Sequence, residues 1–263
     1  MAFTRSGEIT VHYERSGQGP PLLLLHGIGS NSASWRQQLQ GLSDHYTVLA
    51  WDAPGYGQSS DPVPEVMTIR HYADCVRDLL DHQQVDSVYL LGHSWGGIIA
   101  QEFCLAFPSY VRALILSDTN RGGGAEPEEI RQRGLQQRLQ MVEELSPEQL
   151  ARQRAPVLLS SEAPDNVLRE VVDIMSQVRP PGYRSAAISM SEADHGELLS
   201  RIQAPTLLIW GEQDTVTPLS EGRTIQSAIA GAKLEVIPGV GHLCYLERPH
   251  EFNQILKNFL NGT

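Results

Sequence analysis

The chain reads as an α/β protein: a mostly parallel sheet with helices on both faces and a helical cap inserted late in the order. Three observations predict this. Short apolar runs alternate with segments of helical period, the pattern of strand–helix–strand units. Leu22–Leu25 is apolar at every position, and Val88–Leu91 nearly so, as strands covered on both faces require. The rhythm stops between about Gly122 and His195, where helical patterns persist without a clear strand, and returns after Pro205.

In chain order, Glu8–Glu14 alternates like a half-exposed strand and turns at Gly17–Pro21. Leu22–Leu25 follows and stops at His26-Gly27-Ile28-Gly29-Ser30. Trp35, Leu39 and Leu42 mark a helix. Thr47–Trp51 is the next strand and runs into Asp52-Ala53-Pro54-Gly55-Tyr56-Gly57-Gln58-Ser59. Ile69, Tyr72, Ala73, Val76, Leu79 and Leu80 recur at helical spacing behind Thr68, a capping residue. Val88–Leu91 then leads through Gly92-His93-Ser94-Trp95-Gly96-Gly97 into a helix carrying Ile98, Ile99, Phe103 and Cys104, which Pro108 ends. Val111–Leu116 is a strand ending at Ser117-Asp118.

Gly122-Gly123-Gly124, a candidate hinge, opens the insert. Within it Leu135, Leu139 and Val142 share one helical face, and Val167, Val171, Ile174 and Met175 another. Ser146-Pro147-Glu148-Gln149 is a helix start, with a serine cap, proline in the first turn and a glutamine reaching back. After it, Thr206–Trp210 and Leu234–Ile237 are strands, followed by the loops Gly211–Asp214 and Pro238–His242. Phe252, Ile255, Leu256, Phe259 and Leu260 form a closing amphipathic helix. The expected division is a core over 1–121 and 196–263 and a cap over 122–195.

The chain has 263 residues, 41% of them hydrophobic, enough for one large core. A net charge of −11 argues against nucleic acid and anionic membrane as partners. The first residues show no apolar signal region and no run spans a bilayer, so a cytoplasmic protein is expected. Cys75, Cys104 and Cys244 are an odd, scattered set, read as free thiols in a reducing compartment. With no H-E-x-x-H and no paired C-x-x-C, neither metal nor cofactor is expected.

His26, Asp52, Ser94, Asp118, Asp214 and His242 all follow the C-terminal ends of strands, where open α/β sheets bind ligands. A strand, then G-x-S-x-G, then a helix is a sharp turn that lifts a serine hydroxyl above the sheet. A serine needs a base to become a nucleophile, and the base needs an orienting acceptor. Ser94, His242 and Asp214 fill those roles, in the chain order nucleophile, acid, histidine. The oxyanion formed at the carbonyl needs fixed N–H donors, and the main chain of Trp95 and Ile28 is placed to supply them. Among the other histidines, His93 reads as a packed, satisfied side chain. His12, His45, His71, His82 and His250 read as surface or helix-start residues, and His195 lies at the return from the insert.

On these motifs, in this order, the chain resembles enzymes of the alpha/beta-hydrolase fold. Within them it is most similar to 3-oxoadipate enol-lactonases and related small ester hydrolases, through the compact cap, Pro181-Gly182-Tyr183 and Ile202-Gln203-Ala204-Pro205-Thr206. The resemblance implies an eight-stranded sheet and a carboxylic ester or lactone opened through an acyl-enzyme on Ser94. Some members use the strand end held here by Asp118, which makes Asp118 the alternative acid. Those lactonases more often carry leucine before the serine and an aliphatic residue after it, where this chain has His93 and Trp95. Expected substrate contacts are His26, Gly27, Arg131, Arg138, Met141 and Met175, with Leu135, Leu139 and Met190 as further apolar lining. One of Arg131, Arg133 and Arg138 is the candidate for holding a substrate carboxylate, against the plainer reading of a solvated helix face. The expected partner is a small ester or lactone. The alternatives are a carbon–carbon bond hydrolase of ring-fission dienoates and a slow-turnover ligand sensor that keeps the triad. Oligomeric state stays open between monomer and dimer.

Overall fold

A computed structural model describes residues 2–263. Eight strands form one sheet: β1 (Ala2–Ser6), β2 (Ile9–Ser16), β3 (Pro21–Leu25), β4 (Thr47–Trp51), β5 (Val88–His93), β6 (Val111–Ser117), β7 (Thr206–Gly211) and β8 (Lys233–Ile237). Their spatial order is β1-β2-β4-β3-β5-β6-β7-β8. β1 pairs antiparallel with β2, and β2 antiparallel with β4; every other pairing is parallel. Strand β1 is absent from the sequence expectation. It is an edge strand of three polar residues among five, with the polar Thr4 buried and Phe3 exposed, so it carries no apolar alternation to read.

Both β5 and β7 are buried at every position, because helices cover both faces of the sheet. α2 (Ile69–His82) packs on α3 (Trp95–Ala106), and α1 (Arg36–Gly41) packs on α10 (Pro249–Leu260). The two short remaining core helices are α8 (Leu219–Ala228) and α9 (Cys244–Glu247). Thr68 caps α2 as its position predicts, accepting a hydrogen bond from the His71 N–H. Trp35, Trp51, Trp95 and Trp210 are fully buried. All three cysteines are buried and free.

Between β6 and β7 run α4 (Glu128–Glu144), α5 (Pro147–Leu158), α6 (Asp165–Met175) and α7 (Pro180–Glu192). α4 packs on α7, and α5 on α6. The α5 start has the reciprocal Ser146–Gln149 capping bonds that its residues dictate. The glycine run at 122–124 lies tightly against Ser191, Ala193 and Asp194, and Gly124 N–H donates to Ala193 O at 2.8 Å. Among the described residues no helix is long and apolar enough to cross a membrane.

From β3 the chain moves out to β4 and then returns to the far side of β3 as β5. The sheet order reverses there, and the C-terminal ends of β3 and β5 flank a crevice. Leu25 pairs with Gly92, so the His26–Ser30 loop and the Ser94 turn emerge side by side.

Candidate active site

Ser94 leaves β5 with φ 52° and ψ −120°, a strained conformation for a side chain with a Cβ. Surrounding bonds hold it. Ser94 N–H donates to Ser117 O at 2.9 Å, and Ser94 O accepts from Gly97 N–H at 2.9 Å and from the Thr119 hydroxyl at 2.6 Å. Gly92 and Gly96 let the turn close: a Cβ on Gly92 would collide with the Gly96 carbonyl, and one on Gly96 with the Leu25 carbonyl.

His242 follows β8 and Asp214 follows its neighbour β7. His242 Nδ1 donates to Asp214 Oδ2 at 2.8 Å, and both side chains are buried. The bond sets the tautomer, so Nε2 carries the free lone pair. The other oxygen of Asp214 accepts from the Val216 and Thr217 N–H groups at 2.7 and 2.9 Å, which locks the carboxylate. Glu247, a buried residue the sequence did not single out, braces the His242 loop: Oε1 accepts from Gly241 N–H at 2.8 Å, and Oε2 accepts from the Ser160 hydroxyl just beyond α5.

Asp118, the alternative acid, faces elsewhere. Its carboxylate accepts from Gly211 N–H at 2.8 Å, the Ser117 hydroxyl at 2.8 Å and the Cys244 thiol at 3.0 Å. Burial, and after it the Asp214 charge, push its carboxyl from the ordinary 3.8 up to about 7. The folded protein therefore keeps a proton that the unfolded chain releases between about pH 4 and pH 7, so stability falls as pH rises through that window. The expected result is that wild-type Tm declines relative to Asp118→Asn between pH 4 and 7 and runs parallel to it above pH 8. Calorimetric scans of both proteins check this; parallel curves across the whole range would disprove the assignment.

Ser94 and His242 line one cavity, with about 820 Å³ of empty space that includes its opening to solvent. Gly27 and Ile28 form part of its wall. The Ile28 N–H makes no hydrogen bond within the described residues, and Trp95, as the first residue of α3, has no intrahelical acceptor. The Trp95 side chain points away: its indole N–H donates to Ser189 on α7 at 3.1 Å and its ring sits among Tyr56, Tyr72 and His26. The departure from an aliphatic residue at this position thus fastens the α7 helix to the core.

Helices α4–α7 contribute Arg138, Met175 and Met190 from the expected set, together with Arg154, Tyr183, Leu158 and Ile174, which were not foreseen. Neither Arg138 nor Arg154 is within ion-pairing distance of a carboxylate among the described residues, and no Asp or Glu lines the cavity. Burial pushes the Arg138 guanidinium below its ordinary range; its Nη1 donates to Gly134 O at 2.9 Å. The other arginines between Gly122 and His195 differ. Arg131, Arg152, Arg179 and Arg184 each pair with an acid, and Arg133 and Arg169 are exposed. No pattern in the sequence separates Arg154 from Arg152, because α5 orientation alone decides which faces inward.

Several expectations need correction. His26 does not line the cavity: it is fully buried, its Nδ1 donates to Gly27 O at 2.9 Å, and its Nε2 accepts from Ala53 N–H at 3.0 Å, so it braces two loops. Arg131 is bound to Glu128 at 2.6 Å on the same helix and lines an adjoining space beneath α4, which shares Asn120, Arg138 and Met190 with the Ser94 cavity. Met141 packs half-buried against the core, and Leu135 and Leu139 line outer grooves of α4. His12 is not a surface residue; it is buried and donates to Asp52 Oδ2 at 2.8 Å, because the edge strand that covers it was not foreseen. His93 is only half satisfied and lines the cavity. His195 is a clasp, 3.0 Å from Glu102.

Residues 20–249 match the family model of the alpha/beta hydrolase fold, and the chain belongs to that family. It is 28% identical to 3-oxoadipate enol-lactonase 2 of Acinetobacter baylyi, over 95% of this chain and 92% of that protein. It is 26% identical to a 2-hydroxy-6-oxo-6-phenylhexa-2,4-dienoate hydrolase of Comamonas testosteroni, over 96% and 92%. A thermophilic esterase from Thermogutta terrifontis, solved with malate bound, superposes with a TM-score of 0.91 at 27% identity, covering 98% of this chain and 96% of the other.

Proposed function

We propose that this protein is a serine hydrolase of carboxylic esters or lactones that carry a second, anionic group. The observation that carries the reaction is the strained Ser94 turn opening into the same cavity as His242, with His242 Nδ1 on Asp214. Ser94 Oγ attacks the carbonyl as His242 Nε2 takes its proton. The oxyanion gathers the N–H groups of Ile28 and Trp95, and losing one such donor typically costs about 3–4 kcal/mol. Collapse expels the alkoxide, which takes the proton from His242. Water then attacks the acyl-enzyme with the same base, freeing the acid and Ser94. Labelling with a fluorophosphonate followed by peptide mass spectrometry tests the nucleophile: modification at Ser94 is expected, and an unmodified Ser94 in a protein that still turns over esters defeats the proposal.

The anionic preference rests on Arg138 and Arg154, two uncompensated cations in the cavity of a chain of net charge −11. The enol-lactonase and dienoate-hydrolase relatives and the malate-bound esterase are in keeping with it. A hydrogen bond to a charged group is worth about 1.5–3 kcal/mol, so Arg138→Gln or Arg154→Gln is expected to raise KM for a carboxylate-bearing ester about tenfold or more over its methyl-blocked analogue. Equal KM changes for both esters would remove the anion from the proposal. The Comamonas relative keeps carbon–carbon cleavage of a dienoate as a second reading, and a parallel assay of lactones, aryl esters and dienoates separates the two.

A further inference from the structure

His242 stands in a loop whose main chain is gripped from three sides. Its own carbonyl accepts from His93 Nε2 at 2.9 Å, beside the Ser94 turn. On its N-terminal side, Gly241 N–H donates to Glu247 Oε1 at 2.8 Å. On its C-terminal side, Leu243 N–H donates at 3.2 Å to the carbonyl of Leu158, the last residue of α5. A Cβ on Gly241 would lie 2.7 Å from the Leu159 carbonyl carbon and from the Ser160 nitrogen, so the glycine is what lets the two segments approach.

Glu247 ends α9, is buried, and pairs with no cation among the described residues. Burying a carboxylate away from cations is costly unless hydrogen bonds offset it. All of its bonds go to two residues. Besides Gly241, Ser160 N–H donates to Oε1 at 3.1 Å, and the Ser160 hydroxyl donates to Oε2. One side chain thus joins the residue before the base to the residue just beyond α5. An apolar side chain here would leave the Gly241 N–H buried and unpaired, next to the base itself.

We infer that Glu247 is a positioning residue for the general base: with Ser160 it binds the end of α5 to the His242 loop, so the placement of the imidazole depends on how that helix is seated. The inference rests on His242 being the base of the proposed reaction. Glu247 does not line the cavity and acts through Gly241. α5 also carries Arg154 and Leu158 into the cavity wall, so one helix both faces the substrate and holds the base. A change at Ser160 therefore acts on kcat and not on what the cavity accepts. Misplacing a reacting group by about 1 Å costs up to about 10²-fold in rate.

The test compares Ser160→Ala, Ser160→Thr and Glu247→Gln with the wild type. Two quantities are read: kcat and KM for one aryl ester, and the low-field proton resonance of His242 Nδ1 in its bond to Asp214. Ser160→Ala removes the hydroxyl donor and is expected to lower kcat about tenfold with KM unchanged. Ser160→Thr keeps a hydroxyl and is expected to recover most of the wild-type kcat. Glu247→Gln puts an N–H group where an oxygen accepted, and its kcat is expected to fall at least as far as that of Ser160→Ala. The resonance broadens by exchange with water in Ser160→Ala and Glu247→Gln, because a loosened loop frees the imidazole, and stays sharp in Ser160→Thr. A merely structural role lowers Tm but leaves kcat and the resonance of the folded variants at wild-type values, and that result overturns the inference. A rise in KM at constant kcat overturns it too. If Glu247→Gln does not fold, Ser160→Ala decides alone. If the wild type hydrolyses no ester, the proposed function falls, and the resonance still decides whether Glu247 holds His242.

Discussion

Ser94→Ala is expected to lower kcat/KM by about 10⁴-fold or more, with the fold and the cavity intact, because no other group in the cavity can form the acyl-enzyme. The cavity holds other hydroxyl-bearing residues, Ser30, Ser34, Tyr183, Thr217 and Tyr245. None of them stands on the strained strand-to-helix turn that Ser94 occupies on the wall it shares with His242. Burst kinetics with a chromogenic ester measure the loss directly. A variant that keeps its burst would show that another residue takes the acyl group. Part of the strain at φ 52° is relieved by neither serine nor alanine, so thermal stability is expected to change little.

Asp214→Asn is the second large effect, a fall of about 10⁴-fold in kcat. The amide can offer His242 Nδ1 an N–H where the carboxylate accepted one, which favours the wrong tautomer and removes the charge that stabilises the imidazolium. Asp118→Asn is the control. Asp118 lies near enough for its charge to be felt by the pair, yet its own acceptors are taken by Gly211, Ser117 and Cys244. Its loss is expected to leave most of the turnover in place. The reverse ranking of the two variants would move the orienting role to β6.

Ser94, Asp214 and His242 could be proposed from residue types alone, because each follows a strand end and each lies in a glycine-bearing loop. Choosing between Asp214 and Asp118 needed coordinates, since both follow adjacent strands and differ only in where the carboxylate points. The substrate-facing residues were harder. Arg138 was foreseen and Arg154 was not, although both are arginines on polar helices, α4 and α5. Helical period fixes which residues share a face, and it says nothing about which face meets the cavity. His93 and His12 were misread for a related reason. One was expected to be satisfied and the other exposed, and both states depend on partners far away in sequence, His242 and Asp52.

By itself the sequence determined the order of the strands from β2 to β8 and the sharp turn at Ser94, because local periodicity and turn chemistry are written within a few residues of each position. Only the tertiary structure decided which acid reaches the imidazole and which arginines remain without a counter-ion. Those properties belong to pairs of residues far apart along the chain, and packing alone brings the members of each pair together.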